Sequence, residues 1–201
     1  MSRVRTVRPL VLALVAALAI AGCSSKRVLV PPTVELAPHA ALGIVAFTSE
    51  GSRGALAPLA TERFMASLLA AQPGNAILEL GAMTAPVDAA AARRLGGEHN
   101  VRSVIVGHLV VSNVKPRVAI LGGVRASAEA TVALSVRMLS TETGATVWTR
   151  SARITETIAN LGMVDGQAVF GAQDADEAYG ALVERLVRDV TYDFRSTWVK
   201  P

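Results

Sequence analysis

Three groups of residues in this 201-residue chain have types and spacings that chemistry can use. Asp174, Asp176 and Glu177 cluster ahead of an amphipathic run. Three carboxylates so placed can hold Ca²⁺ or work as an acid/base pair. At the start of a helix the same charges complement the positive end of its dipole, each stabilising by about 0.3–1 kcal/mol, and that is the preferred reading. Gly51-Ser-Arg-Gly54 also precedes a helical run and offers amides to an anion, but no lysine and Mg²⁺-binding serine follow it, so a plain loop is expected. His99 follows Gly96-Gly97-Glu98 at a helix stop and has no ligand partner nearby. His108 falls in a strand pattern, where a hydrogen-bonded sheet histidine is expected. No GxSxG elbow, HExxH helix or GxxxxGK[ST] loop is present. The only cysteine, Cys23, cannot form an internal disulfide or a cysteine-rich zinc site. No catalytic, cofactor or metal residue is therefore assigned. Enzyme activity is not expected, and a hydrolase with an unrecognised site stands last among the alternatives.

Charge and hydropathy narrow the class. With 51% hydrophobic and 18% charged residues, and a mean hydropathy of +0.41, the chain is too apolar to be disordered and must pack a core. A net charge of +4 and a pI near 9.8 point towards nucleic acid until the charges are located. Arg3, Arg5 and Arg8 precede an 11-residue apolar run, Leu10 to Ile20, and the first acid is Glu35. Without residues 1–22 the chain holds 17 bases against 16 acids, which leaves no electrostatic footprint for nucleic acid. No small-molecule substrate is evident either.

Residues 1–22 have the parts of a secretory signal: a basic start, an apolar run too short for a permanent span, and small residues at the end. Leu18-Ala-Ile-Ala-Gly-Cys23-Ser-Ser25 resembles the lipobox of bacterial lipoproteins. The resemblance implies cleavage between Gly22 and Cys23 and acylation of Cys23 at its sulfur and its new amino terminus. At about 0.8 kcal/mol per buried methylene, two or three acyl chains anchor almost permanently. Serine rather than aspartate after the cysteine resembles the enterobacterial pattern of sorting to the outer membrane. The expected layout is a signal peptide (1–22), a lipidated N-terminus and flexible tether (23–39) and a periplasmic domain (40–201). Val28-Leu29-Val30 has the composition of a short edge strand inside that tether.

The domain must supply the elements that position everything else. Ala41–Phe47 reads as a strand buried on both faces, and Leu56–Ala71 as a helix with Ala60, Phe64 and Leu68 on its apolar stripe. Ala76–Leu80 is a short strand, Asp88–Leu95 a helix stopped by Gly96-Gly97, and 101–111 a strand with an apolar centre. Ser127–Arg137 alternates apolar and polar residues, Glu142-Thr-Gly144 turns the chain, and 145–156 returns carrying Trp148. A glycine-rich stretch at 160–171 separates these strands from a final helix, 174–198. The order β-α-β-α-β-β-β-α predicts a single-domain α/β sandwich, with a mixed, mostly antiparallel sheet and helices on one face.

Gly43-Ile-Val-Ala-Phe47, Leu95-Gly with Val101–Gly107, and Val136–Trp148, with its strand, Thr-Gly turn and aromatic return, resemble one envelope superfamily. It contains the curli production assembly/transport lipoprotein and peptidoglycan-synthase-activating lipoproteins. The resemblance spans about residues 40–197. It implies an outer-membrane lipoprotein whose domain faces the periplasm and binds an envelope protein partner or copies of itself. Trp148 and Trp198 are the candidate interface anchors. The main expectation is an adaptor or assembly factor for secretion or peptidoglycan synthesis. The alternative is an oligomeric secretion-channel subunit, with 110–124 as the segment closest to a membrane hairpin.

Overall fold

A computed structural model describes residues 27–39, 41–51, 55–112, 115–119, 125–164, 167–172 and 175–200; of these, 115–119, 125–128, 158–164, 167–172 and 175–178 are described by backbone alone. The segment expected to be a signal peptide, with Gly22, the expected acylation position Cys23 and the first residues of the expected tether lie outside that set. In chain order the elements are β1 (Val28–Val30), β2 (Leu42–Ile44), β3 (Thr48–Glu50), α1 (Leu56–Ala71), β4 (Ile77–Glu79), α2 (Ala89–His99), β5 (Ser103–Val111), β6 (Lys115–Ala119), β7 (Arg125–Ser140), β8 (Thr146–Val164), β9 (Gln167–Ala172), α3 (Ala175–Val190) and β10 (Thr197–Val199). They fall into two compact units, Pro32–Arg195 and a smaller one joining the chain up to Pro31 with Ser196–Pro201.

The larger unit is the expected mixed α/β sandwich. Its sheet runs β4-β2-β5-β7-β8-β9, with β3 beside β5 and β6 beside β7. β2 is parallel to β4 and to β5, because α1 and α2 carry the chain back between them. From β5 onward every pairing is antiparallel. The alternation in β7 sends Ala130, Val132, Leu134, Val136 and Met138 into the core. They meet Phe64 and Leu68 of α1 and Leu182, Val183 and Leu186 of α3. Phe47 and Phe64 stack tilted, with centroids 5.3 Å apart.

The helices are distributed differently from the expectation of a single covered face. α1 and α3 share one face, whereas Ala92 and Leu95 of α2 pack with Val45, Val101, Val104 and Leu139 in a second cluster. The reason lies in β5, where Val104 and Ile105 point to opposite faces and both are fully buried, so each face needs cover.

Three boundaries also move. Gly96-Gly97 does not stop α2, which starts at the Asp88 cap and runs to His99 before Asn100 adopts φ 53°. Gly96 is needed for close approach instead: a Cβ there would lie 2.4 Å from Thr141 Cβ. The 160–171 stretch is a hairpin rather than a linker, β8 and β9 pairing from Ala159↔Ala172 to Val164↔Gln167. Glycine weakens a strand but does not forbid one that has a ladder partner. The last helix ends at Val190, where Thr191 Oγ1 donates to the Val187 carbonyl at 2.7 Å.

The smaller unit is a two-stranded antiparallel ribbon with pairs Val28↔Val199, Leu29↔Trp198 and Val30↔Thr197. Val28–Val30 is thus the short strand its composition suggests, and Trp198 belongs to its partner strand rather than to a helix.

Candidate functional site

Among the described residues the sheet has one long unpaired edge. β8 pairs with β7 from Thr146 to Leu161 but with β9 only from Ala159 onward. Among the described residues no backbone group bonds the other side of β8 between Val147 and Glu156. In an antiparallel ladder alternate residues turn their N–H and C=O away from the partner, so this stretch presents a row of free donors and acceptors. A groove of about 430 Å³ follows it, lined by Arg150, Ser151, Ala152, Arg153, Asp189 and Tyr192.

The groove wall is held by Asp193, in the 3-10 turn that follows α3. Its Oδ1 accepts from Arg150 Nη1 at 2.5 Å and its Oδ2 from Trp148 Nε1 at 3.1 Å. Its backbone carbonyl accepts from Val34 N–H at 2.9 Å. The Arg150 guanidinium also lies 5.7 Å from the Tyr192 ring centroid, which aligns charge and ring for a cation–π contact. Arg153 and Asp189 also line the groove and give it one charge of each sign, Asp189 acting in addition on the Arg195 guanidinium. Burial, and after it the like charge of Arg188, lower the Arg195 guanidinium from its ordinary value, with Asp189 and Tyr192 pulling the other way. Arginine titrates too high for this to remove its charge.

A second groove, of about 510 Å³, opens on the face that α2 covers, between residues 83–87 and the sheet. Val106, His108, Ser135, Arg137 and Thr149 form its floor. His108 is the hydrogen-bonded sheet histidine expected from its setting: Nδ1 lies 2.8 Å from Thr48 Oγ1 and Nε2 3.8 Å from Glu50. Both partners occupy β3, the strand beside it.

The two tryptophans have different surroundings. Trp148 is half-buried, its ring packed edge-on against Phe194 at 4.7 Å and its N–H held by Asp193. Trp198 is 63% exposed. His99 ends α2 on the surface. Asp174 lies outside the described residues, and Asp176 and Glu177 are placed by backbone alone in the first turn of α3. Gly51 closes β3 with Ser52–Gly54 outside the described residues. Among the described residues no three His, Cys, Asp or Glu side chains come together as metal ligands. Nor is any helix among them long and apolar enough to cross a membrane. Sequence reasoning missed the β8 edge and the role of Asp193. Neither has a local signal, because an open edge and a contact 45 residues apart depend on which strands pair.

No family model matches the chain, and no curated protein matches it in sequence. Similar solved structures include a PelC dodecamer from Paraburkholderia phytofirmans, 15% identical over 85% of this chain and 96% of that one, with a TM-score of 0.49. Lipoprotein GNA1162 from Neisseria meningitidis is 17% identical over 76% and 98%, at 0.43. The LpoB C-terminal domain from Salmonella enterica is 14% identical over 71% and 93%, at 0.36.

Proposed function

We propose that this protein is a lipid-anchored adaptor or assembly factor of the bacterial outer membrane, not an enzyme, whose domain faces the periplasm and docks an envelope protein. The observation that carries the docking role is the open edge of β8 beside its groove. A partner segment in extended form would complete the free backbone hydrogen bonds, and Arg153 and Asp189 would select its side chains. The membrane attachment rests on the lipobox-like residues that end in Cys23. It is tested by the intact mass of the membrane-extracted protein, which should begin at Cys23 and carry the acyl chains.

The docking role is tested by a photo-crosslinking residue placed at Arg153 in cells, with Glu62 on the exposed face of α1 as control. One envelope protein captured from 153 and not from 62 is the expected result. Equal capture at both positions, or none, refutes docking at this edge.

A second reading, a channel subunit that assembles from copies of the chain, is favoured by strand length. β7 and β8 run 16 and 19 residues, beyond the roughly 9–11 a membrane strand needs. Lys115 and Arg117 in β6, and Asp165 between β8 and β9, weigh against a lipid-facing surface there. SDS-resistant rings with single-channel conductance, and a self-crosslinked ladder from position 153, would select it over the adaptor.

A further inference from the structure

The β1–β10 ribbon is apolar where soluble proteins are usually polar. Val28, Leu29, Val30, Trp198 and Val199 are all 40–63% exposed, and they make up half of the ten large apolar side chains that stand exposed among the described residues. Five of the ribbon's six paired residues therefore present apolar surface, the sixth being Thr197. An isolated two-stranded hairpin is marginal in water, so this surface calls for something to cover it.

Position and charge say what. Val28 is five residues after Cys23, a distance of at most about 18 Å even fully extended. The pairing Val28↔Val199 brings Arg27 and Lys200, both exposed, to the same end of the ribbon, the end from which the chain leads back to Cys23. No acid occurs in residues 24–34 or 194–201. Cations at the end nearest the anchor, with tryptophan and aliphatic side chains behind them, suit the headgroup region of a bilayer carrying anionic phospholipid.

We propose that the β1–β10 ribbon seats in the membrane interface beside acylated Cys23, with Leu29 and Trp198, which pair on one face, against the acyl boundary and Arg27 and Lys200, on that same face by strand alternation, on anionic headgroups. The proposal rests on the lipid-anchor reading of Cys23. It goes further in making the C-terminal strand a second membrane contact.

The test uses the mature protein extracted from membranes and reconstituted into vesicles of phosphatidylethanolamine and phosphatidylglycerol, with and without brominated chains. Trp198 and Trp148 are the only tryptophans, so the difference between the parent and Trp198→Phe isolates the Trp198 signal without touching the core. Brominated lipid should quench Trp198 at least twofold and leave the Trp148 signal nearly unchanged. The Arg27→Glu/Lys200→Glu double variant should then lose at least half of that quenching. An intact mass without acyl chains would overturn the anchor itself. Acylated protein whose Trp198 is not quenched would overturn only the seating. Trp198 shielded from aqueous acrylamide yet untouched by brominated lipid would assign the ribbon to a protein contact instead, and would overturn the proposal as well.

Discussion

Replacing Gln72 should loosen the larger unit more than its place at a helix end suggests. Its backbone N–H closes α1 on the Leu68 carbonyl at 3.0 Å, while its side chain holds two distant segments. Nε2 donates to the Val34 carbonyl at 2.7 Å and to the Phe194 carbonyl at 3.0 Å, and Oε1 accepts from Leu36 N–H at 2.7 Å. Leu36 is 1% exposed, so water does not readily replace that acceptor. With a net contribution of about 0.5–1.5 kcal/mol for each of these three bonds, Gln72→Ala should cost about 3 kcal/mol. In a domain of this size that lowers Tm by roughly 6–12 °C. Gln72→Glu keeps the acceptor for Leu36 but sets a carboxylate against two carbonyls, so at neutral pH it should be less stable than the alanine variant. Those carbonyls and partial burial raise the new carboxyl above the ordinary glutamate value of about 4.3. A raised folded-state pKa means that the protonated acid, which can donate again, favours the folded state. The penalty of Gln72→Glu should therefore grow as pH rises through that pKa and shrink below it. Urea unfolding followed by circular dichroism and tryptophan emission measures both. An alanine variant within about 0.5 kcal/mol of the parent, or a glutamate variant as stable as the parent at pH 7, would refute the reasoning.

Asp193→Ala should release both Trp148 Nε1 and Arg150, red-shifting tryptophan emission and costing about 1–3 kcal/mol, discounted on the Arg150 side because that side chain is 39% exposed. Asp193→Asn keeps an acceptor for the indole and should shift the emission less. Gly144 sits at φ +74° with a would-be Cβ 2.7 Å from Ala89 Cβ, so Gly144→Ala should cost about 2 kcal/mol or more by denaturant titration. Phe64 is fully buried against Phe47, and Phe64→Ala should cost about 3–5 kcal/mol on the same measurement.

Elements with a strong period were legible. The 3.6-residue stripe in α1 fixed a helix whose observed limits coincide with those read from the pattern, because its buried residues answer to one face alone. The two-residue alternation of β7 and the turn at Gly144 were legible for the same local reason. Less legible were the boundaries that depend on a partner. Gly96-Gly97 has the composition of a helix stop and is one only if nothing packs there; Thr141 packs there. The 160–171 stretch has the composition of a linker, and its strands exist because each ladder supplies the other's hydrogen bonds. At the candidate site, Trp148 stood out by residue type, but Asp193 lies 45 residues away, and no local pattern links an acid after one helix to an indole on another strand.

What the sequence determined by itself was whatever resides in neighbouring residues: the basic start and apolar run of residues 1–22, the lipobox-like run to Cys23, the near-neutral charge balance beyond it, and the helix and strand periods. These are local because a charge run, a turn or a helix face depends on residues only a few positions apart. The tertiary structure alone decided which face each helix covers, that no described strand pairs the outer side of β8 between Val147 and Glu156, and that Val28–Val30 finds Thr197–Val199 to form an apolar ribbon. Those outcomes depend on backbone hydrogen bonds and packing between segments as far apart as the two ends of the chain, where pairing energy, not local preference, selects the partner.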